Sequence, residues 1–235
     1  MISVEQSKIW EKLPGNRVVE AYVGEYASGK SENAVNRALD LVEKGRKVTL
    51  VDLDTVEPCY TLRPLKGPLT EKGIDVIAWE TKQLIGLGEA GMVLHPHIPL
   101  VLRRPGDIIL DVGYGIDGPR TLNLLDGSQT SQDLRVLAVV NIARPLTSTV
   151  EDIVEYIRGM GKVHAIINNS HLGNDTDLEI IQEGIRIVTG AARELRIPVE
   201  ATVIEEKWRE LIGSVDSMGN PVRTLRKRFM VDSFW

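Results

Sequence analysis

Compact runs of apolar residues alternate along this chain with stretches whose apolar positions recur at helical spacing. Residues 17–23, 47–51, 108–110, 135–140, 163–167 and 199–203 are β-prone runs, and 74–78 is a shorter one. Between the first two, residues 30–43 place Ala34, Ala38, Leu41 and Val42 on one side of a helix, and Gly45 supplies a stop. Residues 147–158 and 177–189, the latter continuing to Leu195, predict further helices. Continuously apolar strands separated by helices predict an α/β fold, a mostly parallel twisted sheet flanked by helices on both faces. Ligands bind such sheets beyond the carboxyl ends of the strands, so chemistry is expected in the residues that follow each run.

Two stretches break the alternation. Residues 58–104 are rich in Pro and Gly and weakly periodic, which marks a functional or mobile insertion. Residues 213–235 read as a C-terminal tail in which Arg223, Arg226, Lys227 and Arg228 precede Phe229, Phe234 and Trp235. The expected organisation is one domain over residues 1–212, with the insertion inside it, followed by that tail.

Composition narrows the classes. A chain of 235 residues with 43% apolar content suits one large domain with a sizeable core. A net charge of −5 disfavours a protein that coats nucleic acid, because that needs a basic surface to displace counterions. The single cysteine, Cys59, rules out an intrachain disulfide and fits a reducing compartment. No run approaches the roughly 20 apolar residues of a membrane span, and residues 1–16 lack a signal-peptide core. A cytoplasmic location is expected. His95 and His97 fall short of the three or four ligands that zinc sites use.

The strongest chemical signal follows the first strand. Gly24-Glu25-Tyr26-Ala27-Ser28-Gly29-Lys30-Ser31 matches G-x-x-x-x-G-K-[ST] at every fixed position, with a predicted strand before it and a helix after it. That spacing wraps a β-phosphate in backbone N–H groups and starts a helix at the anion. Lys30 is expected on the β- and γ-phosphates and Ser31 on Mg²⁺.

Acids follow the neighbouring strands. Val51-Asp52-Leu53-Asp54 closes the second, where Asp52 or Asp54 would hold a Mg²⁺-bound water or orient the attacking one. Asp107-Ile108-Ile109-Leu110-Asp111 has the form of a Walker B strand, which assigns Asp111 to Mg²⁺ beside Ser31. In the next turn, the Gly113 N–H is placed to sense a γ-phosphate, and Gly115 and Gly118 keep the segment pliable. The metal set read this way is Ser31, Asp54 and Asp111, and the catalytic set is Lys30, Asp52, Asp54 and Asp111.

These motifs together resemble the MinD/ParA/CobQ group of P-loop ATPases, within the wider SIMIBI class that includes nickel-insertion and signal-recognition GTPases. The resemblance covers element order over residues 17–203 and is weak in sequence outside the motifs. It implies the P-loop NTPase three-layer sandwich, slow ATP hydrolysis with Mg²⁺, a homodimer closed around the nucleotide, and a cycle that acts on a protein partner. Some relatives instead phosphorylate or amidate a small molecule, for which residues 58–104 would form the acceptor pocket.

One position departs from the group. Many members carry a signature lysine, five residues before the motif lysine, that reaches the partner subunit's nucleotide; Glu25 stands there in this chain. A carboxylate does not replace a cation near phosphates, which counts against that dimer mechanism. The resemblance also implies an adenine-contacting asparagine after a late strand. Asn168 and Asn169 fit, with Asn141 a second choice, since an amide both donates and accepts. The guanine-reading N-K-x-D pattern is missing from Asn168-Asn169-Ser170-His171, so ATP is favoured over GTP. Residues 197–199 and the loop after Thr202 are expected to cover the base.

Overall fold

The computed structural model describes residues 17–54, 62–78 and 95–225. Cys59 and the basic and aromatic residues 226–235 lie outside these ranges, as does much of the expected insertion. Among the described residues, eight strands form one sheet: Val19–Gly24 (β1), Val48–Leu53 (β2), Ile74–Ile77 (β3), Asp107–Val112 (β4), Leu134–Val140 (β5), Ala165–Asn168 (β6), Val199–Glu205 (β7) and Val222–Leu225 (β8). The order across the sheet is β3-β2-β4-β1-β5-β6-β7-β8, and every neighbouring pair is parallel. The expected parallel α/β sandwich is therefore observed.

The helices among the described residues are Lys30–Glu43 (α1), Lys66–Glu71 (α2), Val150–Met160 (α3), Leu178–Leu195 (α4) and Arg209–Ile212 (α5). Alternation along β1 shows how both faces are covered. Val19, Ala21 and Val23 enter the core that Ile153, Ile157, Val188 and Ala191 of α3 and α4 fill. Val18 and Tyr22 enter the core beneath Ala34, Val35, Ala38 and Leu41 of α1. All six residues of β1, β2 and β4 are buried, which explains why these strands read as continuous apolar runs.

Local chemistry moves some boundaries. The helix expected from residue 147 begins at Val150. Thr149 caps it by accepting the Asp152 N–H, and the Asp152 carboxylate accepts the Thr149 N–H in return. Residues 145–147 form a separate 3₁₀ turn. Val222–Leu225, read from the sequence as tail, is the sheet's edge strand, with Thr202 opposite Val222. A four-residue strand with only two apolar members carries too weak an alternation to be seen in sequence. Within the expected insertion, the described residues include the regular elements α2 and β3.

The amino ends of the central strands are pinned by charge. Asp107 accepts the Val18 N–H at 2.8 Å and pairs with Arg46, and Arg17 donates to the carbonyls of Leu102, Arg104 and Gly106. The opposite, carboxyl edge holds the loops after β1, β2, β4, β5, β6 and β7, and there the candidate residues collect.

Candidate functional site

β1 ends at Gly24 between β4 and β5, and α1 begins six residues later at Lys30. The turn between them is made possible by Gly29, the α1 N-cap, at φ 90° and ψ 24°. A Cβ there would also sit 2.1 Å from Nδ2 of Asn169. Ala27 takes a positive φ as well, 53°. The Glu25 carbonyl accepts the Ser28 N–H at 3.2 Å and the Lys30 ammonium at 3.0 Å. Lys30 is buried and lies 6.0 Å from the centre of the Tyr114 ring, which meets Tyr26 edge-on at 5.3 Å. The eight residues therefore form a tight loop that opens on a helix amino terminus, a cradle suited to phosphate.

Glu25 does not face that cradle. Its buried carboxylate accepts the Thr147 hydroxyl at 3.1 Å and the Leu146 N–H at 3.4 Å, tying the loop to the turn before α3. The single Thr147 hydroxyl proton is shared with the Asn141 carbonyl, at 2.9 Å.

The acids converge from two adjacent strands. Asp52 and Asp111 are register partners across β2 and β4, and Asp111 pairs with Tyr22 of β1, two residues before Gly24. Asp52 accepts the Asp54 N–H at 3.0 Å and lies 3.6 Å from the buried guanidinium of Arg63. Asp54 is half-buried, its Oδ1 3.3 Å from where a Cβ on Gly113 would stand. Gly115 donates to the Gly24 carbonyl at 3.2 Å, so the loop after β4 rests on the phosphate-type loop.

Asp111 is fully buried and its pKa is pushed up to about 7. Desolvation is the main cause; the Ser31 hydroxyl and Lys30 pull it back, while Asp52 and Asp54 raise it further. Neither Asp111 oxygen makes a hydrogen bond of good geometry among the described residues, although Ser31 is close enough to act on its titration. The buried Ser28 hydroxyl is in the same position. Buried polar oxygens without partners are rare. A divalent cation beside Ser31 would satisfy Asp111 and return it to its charged form, so these donors fit Mg²⁺.

The three asparagines expected to read a base are all engaged in holding loops. Asn141 Nδ2 donates to the His171 carbonyl at 3.1 Å, and its Oδ1 accepts from Ala143 and His171 N–H groups. Asn168 accepts the Ser170 N–H and hydroxyl and reaches Thr202, beneath Gly184 of α4. Asn169 donates to the Ser28 carbonyl at 2.8 Å. Of the three, Asn169 alone also lines a shallow open depression that adjoins the start of α1 at Glu32. Val203, Ile204, Glu205, Trp208 and Leu225 form its far wall. The residues after Thr202, expected as a loop, continue β7 to Glu205; they and Trp208 of the following turn line the depression. Residues 197–199 do not, because they open β7 at the opposite edge of the sheet, where Ile197 packs in the α3/α4 core.

Sequence reasoning missed Arg63, Thr147, Tyr114 and Trp208. Arg63 stands before Pro64 in an aperiodic stretch, and nothing local marks it for burial beside Asp52. Trp208 had a faint signal as a large aromatic following the last apolar run. The indole Nε1 is buried without a partner among the described residues, and Lys207 lies 5.5 Å over the ring.

Fold and loop together define the P-loop NTPase architecture. Similar solved structures include the cell division protein FtsY of Thermotoga maritima (18% identity, TM-score 0.54, 80% of this chain and 62% of that one). The signal recognition particle receptor FtsY of Elizabethkingia anophelis gives 16% identity and TM-score 0.54, over 83% of this chain and 63% of that one. FlhF, solved with GTP and Mg²⁺, gives 15% identity and TM-score 0.51 over 82% and 67%. At these identities the likeness is one of fold, and the chain spans less than two thirds of the length of either FtsY. No protein-family model matches the chain, and none of the curated protein sequences does.

Proposed function

We propose that this chain is a Mg²⁺-dependent ATPase of the MinD/ParA/CobQ type that acts as a nucleotide switch on a protein partner. The observation that carries this reading is the convergence of Lys30, Ser31 and the buried carboxylate of Asp111 at the mouth of a glycine-capped helix. Ser31, Asp111 and Asp54 would hold Mg²⁺, which when bound neutralises charge on the β- and γ-phosphates. The loop at residues 24–31 cradles the phosphates, and Lys30 exchanges the Glu25 carbonyl for phosphate oxygens. Asp52, fixed by Arg63, orients the attacking water beside Asp54.

The base is assigned to the open side of the depression between Asn169 and Trp208. Adenine is favoured because the guanine-reading N-K-x-D arrangement is missing after β6. Gly113, beside Asp54 and linked through Gly115 to Gly24, is the element that registers the γ-phosphate. Since Glu25 is anchored on Thr147, any homodimer would form without a cation reaching across from this position.

The test is turnover of ATP and GTP by the full chain, with and without Mg²⁺, alongside its oligomeric state. Slow, Mg²⁺-dependent ATP hydrolysis that disappears in Lys30→Ala is expected. Equal or tighter use of GTP would overturn the adenine assignment. Transfer of the phosphoryl group to an added metabolite in preference to water would replace the switch by a kinase.

A further inference from the structure

A second cleft opens at the other end of the sheet. It holds about 260 Å³ between the 3₁₀ stretch Gly118–Leu124, the loop at residues 127–131, the start of β5 and the end of α3. That is close to the lower end of small-molecule pockets, room for a small ligand only. Leu122, Val136 and Met160 supply a buried apolar floor, and Arg120, Lys162 and His164 supply basic groups around it. Among the described residues no carboxylate lines it, in a chain that carries 33 acids and a net charge of −5.

The basic groups are available to a ligand. Arg120 is held by Asp117 in a highly exposed pair, which water and salt weaken. Lys162 has no ion-pair partner among the described residues. His164 accepts the Val136 N–H on Nδ1 at 2.9 Å, which leaves the proton of the neutral ring on Nε2. Burial lowers its pKa, and Lys162 and Arg135 nearby lower it further against the Val136 backbone. Ser131 accepts the Leu134 N–H and keeps its O–H to donate. Donors and positive charge over an apolar floor match a ligand with an anionic head and a short hydrocarbon body.

We infer that this cleft binds a small organic anion, a carboxylate or phosphate monoester with a short apolar chain, at a site separate from the nucleotide. Leu134 lies five residues before Val139, the register partner of Gly24. That is roughly 16 Å along the strand. Groups must approach to about 3 Å for transfer, so this ligand is not the acceptor of a phosphoryl group at Lys30.

Calorimetric titration of the full chain with hexanoate, hexyl phosphate and hexylammonium tests the assignment, since the three share a chain and differ in the head group. Saturable binding of at least one anion at about 1 mM or tighter is expected, and the tighter of the two names the head group. Hexylammonium is expected not to bind. Arg120→Glu with Lys162→Glu, both exposed, should weaken the anion by about tenfold or more at an unchanged melting temperature. Lys30→Ala should bind it as the parent does, so that failure here and failure of the nucleotide reading are told apart. Equal binding of all three probes, no saturable binding of either anion, undiminished binding in the double variant, or loss in Lys30→Ala would each overturn the site.

Discussion

Asn169, at the carboxyl end of β6, donates its side-chain amide to the carbonyl of Ser28 at 2.8 Å, so the sheet holds the phosphate-type loop from behind. The same amide would lie 2.1 Å from any Cβ at position 29, which makes Gly29 and Asn169 one device. Asn169→Ala removes a buried hydrogen bond worth about 1 kcal/mol and should weaken ATP and GTP binding by a similar factor of roughly five- to tenfold. Titration with fluorescent nucleotides checks this. A change in the ATP-to-GTP ratio would show that the amide reads the base instead.

Glu25 and Thr147 form the second link between the loop and the sheet. Hydrogen bonds to a charged group contribute about 1.5–3 kcal/mol, and the pair is buried. A double-mutant cycle of Glu25→Ala and Thr147→Val is expected to show a coupling of roughly 1–2 kcal/mol in urea unfolding. Ser148→Ala, one residue on and exposed, should show none.

Asp111 sets a pH dependence whose sign can be worked out. Its folded pKa of about 7 lies above the ordinary 3.8, so the folded state holds a proton that the unfolded chain has already released. Without metal, stability is greatest below the ordinary value and falls as pH rises through about 7. Asp111→Asn should therefore melt higher than the parent at pH 8 and differ less at pH 5, which calorimetry in EDTA measures. Binding of Mg²⁺-nucleotide should strengthen from pH 6 to 8 with release of a proton in the parent, and lose both features in the variant.

Arg63 and Asp52 are both almost wholly buried. Removing one partner of such a pair leaves a charge behind at a cost of about 3–5 kcal/mol. Arg63→Ala should destabilise by that order and abolish turnover. The double variant Arg63→Met with Asp52→Leu should regain most of the stability and none of the turnover. Equal instability of the single and double variants would show that the two do not act as a pair.

What the sequence by itself determined is the local part of this protein. The strand-loop-helix of residues 19–43 was legible because its determinants are short-range: an apolar run, glycines where a side chain cannot stand, and helical spacing afterwards. Asp111 was legible for the same reason, as an acid at the end of an apolar strand. The parallel sheet followed from alternation of strand and helix. Tertiary structure alone decided which groups meet. Only the order of strands puts Asp52 beside Asp111 and brings Asn169 onto Ser28 across 141 residues of chain. Only the fold turns Glu25 away from the cradle and onto Thr147, 122 residues later. The edge strand Val222–Leu225 and the buried Arg63 escaped for a related reason. Their stability comes from partners distant in sequence, and a four-residue strand or a lone arginine has no periodicity to announce it.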